Sequence, residues 1–151
     1  MIGGAVTAAT GAGLLVAMVA ALAWRAWRVA PFAPDRLVLE LRLAQVGALV
    51  LASTSGVGAG LAMLQLAHPG AGLEIAVGLA FLVVAITVTL REPHHGLLLL
   101  ASAFAAHAAF DTLHQPGWLG DLLVPRWYAL ASAVMHLALG ALCFLPLLRR
   151  K

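Results

Sequence analysis

His107, Asp111 and His114 fall at i, i+4 and i+7 within the stretch HAAFDTLHQ. On a helix that spacing stacks two imidazoles and a carboxylate along one face. The stretch closes an apolar run that begins at Leu97. Ionisable side chains on a lipid-soluble helix are costly to bury and need partners, so this stripe is the main pointer to chemistry. His136, in the last apolar run, is the natural fourth member. Neutral imidazole and carboxylate suit Zn, Fe, Cu or Mn, and ligands projecting inward from several helices are a common bundle arrangement. Three protein ligands with an open position would make such a site catalytic. Glu74 is a candidate further ligand or general base, and His68 a candidate to close the cluster. Both stand at a helix end that water reaches, so interfacial solvation is the competing reading.

Two other chemistries use the same residues. A facing pair of His107 and His136 suits a b-type haem. Chains of Asp and His inside membranes also relay protons or ions. A helix-to-helix hydrogen-bond network is the purely structural alternative. Ser132, His136 and Asp111 supply the residue types of a serine hydrolase, but no oxyanion motif such as GxSxG surrounds Ser132.

The elements that must position these side chains follow from composition. The chain has 151 residues, 63% hydrophobic and 10% charged, with mean hydropathy +1.00. A soluble domain carries about 25% charged residues. Continuous Leu/Ala-rich runs, rather than period-two alternation, exclude a β-barrel and predict membrane-spanning helices. The expected fold is an all-α membrane bundle forming a single unit, 1–151, with spans near 3–24, 37–67, 73–90, 97–114 and 126–148. The first ten residues carry no Lys or Arg, which predicts a retained span rather than a cleaved signal. A lone cysteine, Cys143, excludes an intrachain disulfide.

The punctuation between spans is clear. Trp24, Arg25, Trp27 and Arg28 form an interfacial anchor. Pro31 and Pro34 break the chain, and Asp35 is positioned to cap the second span. That span is long, so its first two turns, with Glu40 and Arg42, are expected in the headgroup layer. Gly56 and Gly60 make a GxxxG that favours packing within the bundle over a dimer seam. His94 and His95, after Pro93, read as solvated residues near the headgroups. Gln115–Pro125, with Gly117 and Gly120, is a candidate lid. Trp118, Trp127 and Tyr128 read as an aromatic belt. Asp121 and Arg126 are a candidate surface pair.

Five spans put the termini on opposite sides. Placing Arg25, Arg28, Arg36 and Arg42 in the cytoplasm also places Arg91, Arg149, Arg150 and Lys151 there, eight of the nine basic residues. The expected orientation is therefore N-terminus out, C-terminus in, in a cell (inner or plasma) membrane. His107 and His136 then lie roughly 10 and 15 Å below the outer ends of adjacent antiparallel spans, where they can face each other. The basic residues flank apolar runs, so they form no nucleic-acid patch.

The segment His107–Gly140 resembles a pattern in small uncharacterised bacterial integral membrane proteins. It comprises the HxxxDxxH helix (His107, Asp111, His114), a VPRWY-type span start (Val124–Tyr128), then a polar residue and a glycine (His136, Gly140). It covers about a quarter of the chain. Members tend to carry Cys and Asp where this chain has Ser132 and His136, so the ligand set need not be shared. The resemblance implies no particular activity.

These features together point to a metal-dependent membrane protein with a site near the outer side of spans 4 and 5, acting as an enzyme on a lipid or other hydrophobic substrate. Small size, Ala/Gly-rich helices and thin loops also suit an accessory subunit of a larger membrane complex that binds haem or pigment. A proton or ion relay would need an oligomer, since five spans are few for a transporter.

Overall fold

The computed structural model describes residues 2–113 and 124–149, with side chains from Thr10 onward. Five helices follow one another: α1 (Ile2–Arg28), α2 (Pro34–Met63), α3 (Ala71–Thr89), α4 (Pro93–Leu113) and α5 (Arg126–Phe144). A 3-10 turn, Leu145–Arg149, ends the described chain. Each of the five is long and apolar enough to cross a membrane. Their outward surfaces keep large apolar side chains exposed, among them Leu14, Leu49, Val83, Val134 and Leu137. Water would penalise such a surface, whereas lipid accommodates it, so the protein is a multi-pass integral membrane protein.

The helices pair as α2 with α3 and α4 with α5, with α1 against α2 and α5. Small residues set these approaches, because lipid supplies no hydrophobic drive between helices and close packing must. A Cβ on Gly78 would lie 2.9 Å from the Ala59 Cβ and 3.0 Å from the Ser55 carbonyl. One on Gly140 would lie 3.2 Å from the Ala101 carbonyl. One on Gly47 would meet Leu100 Cδ1 at 2.8 Å. The core between them is built from Leu43, Leu51, Leu97, Leu100, Phe104 and Leu139. Ser and Thr hydroxyls inside the spans bond back to carbonyls of the preceding turn, as Thr54 does to Val50 and Thr87 to Val83.

Several sequence expectations shift. Gly56 and Gly60 do not pack against any described residue, since a Cβ on either meets nothing within 4 Å among them. The internal seam is Ser55 and Ala59, one residue earlier on the helix and so rotated about 100° from the GxxxG face. Asp35 does not cap α2. Ala33 is the extended N-cap with no side-chain bond, and Asp35 lies in the first turn, where its charge suits the helix dipole. Glu40, in the first two turns of α2, is fully buried among the helices rather than solvated, taking a 2.8 Å bond from Arg36 Nε. Arg36 in turn donates to the carbonyls of Pro146 and Val29, tying the start of α2 to the end of the chain. Helix α4 starts at Pro93, so His94 and His95 belong to its first turn. His95 is exposed, whereas His94 is half-buried with Nδ1 sealed from solvent.

Candidate metal centre

The two close helix pairs converge on one cluster. Helix α4 carries His107 and Asp111 one turn apart. Helix α5 brings His136 opposite them, one turn before the tight approach at Gly140. The His107 and His136 rings lie 4.0 Å apart between centroids, tilted by 32°. Phe81 of α3 stacks on His107 at 4.5 Å, and Phe104 of α4 stacks on His136 at 5.9 Å. These aromatic walls hold both rings in place.

Asp111 sits between the imidazoles. Its Oδ2 is 3.0 Å from His136 Nδ1 and its Oδ1 is 3.6 Å from His107 Nδ1. An ionised carboxylate only accepts hydrogen bonds, so the 3.0 Å contact is an Nδ1–H of His136 donating to Asp111. Side-chain exposure is 1% for His136, 12% for His107 and 14% for Asp111. Among the described residues, buried His136 Nε2 and His107 Nδ1 find no hydrogen-bond partner. Buried polar atoms are normally satisfied, so two orphan ring nitrogens in one cluster need an occupant.

One ligand atom from each of His107, Asp111 and His136 lies within 4.8 Å of the other two. A tetrahedral ion with bonds of 2.0–2.1 Å separates its ligands by about 3.3 Å. The 3.6 Å between His107 Nδ1 and Asp111 Oδ1 is close to that spacing. The cluster faces a cavity of about 80 Å³ lined also by Glu74, Tyr128 and Ser132. That is well above the roughly 15 Å³ a single water needs, so it has room for an ion and bound water. No Lys or Arg lines it among the described residues, so its charge suits a cation.

The residues singled out from sequence fall into three groups. His107, Asp111 and His136 are brought together, and Glu74 joins the same cavity from the first turn of α3, where it is half-buried. His68 is not part of it. Its Nδ1 accepts from Gly70 N–H at 3.2 Å within the α2–α3 turn. His114, Trp118, Asp121 and the Gly117/Gly120 lid lie outside the described residues.

Ser132 is 3.3 Å from His136, but from the same Nδ1 that Asp111 takes. A hydrolase relay needs the serine and the carboxylate on opposite ring nitrogens, so this is not that arrangement. Nor do the two rings bracket a porphyrin. Bis-imidazole ligation sets the macrocycle between them, and centroids 4.0 Å apart leave no gap. Tyr128 also lines the cavity, a role beyond the aromatic belt. The signal was its place at i, i+4 and i+8 with Ser132 and His136 on α5. Phe81 had no such signal, since only helix packing brings it to His107.

No family model, curated protein or solved structure matches this chain.

Proposed function

We propose that this protein holds a divalent transition-metal ion on His107, Asp111 and His136 and works as a metal-dependent membrane enzyme. The observation that carries the reading is the convergence of three ligand-type side chains within 4.8 Å inside an apolar bundle. Zn, Fe, Cu or Mn all suit two imidazoles and one carboxylate. Such an ion, with an open position toward the cavity, supplies Lewis-acid polarisation or an activated water. Asp111 orients His136 through the 3.0 Å bond and stands 3.6 Å from His107, the two phenylalanines stack on the rings, and Glu74 across the cavity is the candidate base. The substrate class that fits a cavity within a bilayer is a lipid or other hydrophobic molecule offering its polar end. We assign the cluster to the outer half of the membrane, with the N-terminus out. The distribution of arginines supports that orientation, and the likeness to small bacterial proteins fits a bacterial cell membrane.

The test is elemental analysis and visible absorption of detergent-purified protein beside His107→Ala/His136→Ala. One ion per chain, absent from the variant, is the expected result. A wild-type protein that takes up none of the four metals at neutral pH would overturn it, as would a Soret band, which needs the two rings further apart than 4.0 Å or a haem held by one of them. A second reading, an accessory subunit of a larger complex, draws on Gly56 and Gly60. They leave a small-residue face of α2 open to another helix.

A further inference from the structure

Five arginines gather where α1 ends, α2 begins and the chain closes, and the fold divides them. Arg36 is buried and bonded to Glu40 and to the Pro146 and Val29 carbonyls. Arg149 donates to the Trp27 carbonyl at 2.7 Å and lies 5.2 Å over the Trp27 ring. Arg25, Arg28 and Arg42 form no hydrogen bond or ion pair with any described residue. The Arg28 guanidinium has only a distant contact with the Trp24 ring, at 6.0 Å.

These three line one groove of about 550 Å³ between the last turns of α1 and the first turns of α2, together with Trp24, Asp35, Val38 and Leu39. Three guanidinium charges against the single carboxylate of Asp35 leave a surplus of two. Helix α2 has 30 residues. That is about 45 Å of helix, some 15 Å more than a hydrocarbon core of about 30 Å. Arg42, eight residues after Pro34, lies about 12 Å along it, within that excess. The groove therefore opens at headgroup depth, where Trp24 also belongs. A topology signal needs arginines only near the span ends. It does not require them to converge from two helices on one groove with their donors unused. Guanidinium forks pair with phosphate oxygens in a bidentate manner, and basic pockets between spans are suited to anionic headgroups.

We infer that this groove binds the headgroup of an anionic phospholipid. Arg25, Arg28 and Arg42 hold the phosphate, and the acyl chains descend along Val38 and Leu39. The full chain in detergent micelles, where both faces are reachable, is titrated with dioleoyl phosphatidylglycerol or dioleoyl phosphatidylcholine and followed by native mass spectrometry. The wild type should retain the anionic lipid preferentially. Affinity should fall about fivefold per arginine removed and on the order of a hundredfold in R25Q/R28Q/R42Q. R91Q, an exposed arginine outside the groove, should bind as the wild type does. If the triple variant does not fold, judged by circular dichroism, R42Q alone should still show the fivefold loss. Equal retention of both lipids, a loss in R91Q as large as in the triple variant, or an unchanged R42Q would overturn the assignment. Displacement of the lipid by an equal concentration of glycerol 3-phosphate would also overturn it, by giving the groove to a soluble phosphate.

Discussion

Asp111→Asn is the sharpest perturbation of the metal centre. Asparagine keeps the shape and can still accept the His136 Nδ1–H, so helix packing should survive. What it loses is the negative charge between two imidazoles, 3.0 Å from one and 3.6 Å from the other. Loss of a carboxylate that only orients a metal-bound histidine weakens binding about 10- to 100-fold, and a direct ligand should sit at or above the upper figure. At a metal concentration of 100 times the wild-type Kd, binding stabilises the fold by about 2.7 kcal/mol. A hundredfold weaker site retains only about 0.4 kcal/mol at the same concentration. The difference is about 2.3 kcal/mol. With an unfolding entropy of about 2.1 cal/mol/K per residue over 151 residues, that is about 7 °C in Tm. The assay is thermal unfolding in detergent, followed by tryptophan fluorescence, with and without the metal found in the purified protein. The metal-free Tm should be nearly unchanged, and the metal-induced rise should collapse. A variant that keeps both the full rise and one ion per chain would refute the assignment of a carboxylate ligand.

Ser132→Ala removes only a weak contact to a nitrogen already held by Asp111, so metal affinity measured by competition should change less than about tenfold. Glu40→Leu leaves the Arg36 guanidinium buried without its ion-pair partner and should destabilise the protein by about 3–5 kcal/mol in denaturant titrations. Arg36→Met/Glu40→Leu should recover most of that loss. Gly78→Ala forces a Cβ against the Ser55 carbonyl and Ala59, costing about 1–3 kcal/mol by the same titration. Gly56→Ala meets open space and should be neutral or gain up to about 1 kcal/mol from helix propensity. Acidification should release the metal, followed by elemental analysis after dialysis, because protons compete for the imidazole lone pairs.

Much of the architecture was legible in the sequence because hydrophobic length is a local property. The five apolar runs, the proline breaks at Pro34 and Pro93, and the shared face of His107 and Asp111 follow from composition and the 3.6-residue period alone. Similar depth on neighbouring antiparallel spans also made a meeting of His107 and His136 foreseeable. Helix rotation was not legible, because nearly every position in these spans is apolar or small and no amphipathic stripe marks the inward side. Only packing decided that Ser55 and Ala59, not Gly56 and Gly60, face α3. Packing likewise turned Glu40 inward to Arg36, kept His68 in its turn and brought Phe81 onto His107. Sequence by itself determined a five-helix membrane protein carrying an ionisable stripe. Tertiary structure decided which of those side chains share a cavity. Periodicity fixes angles within one helix, and only contact between helices fixes the angles from one helix to the next.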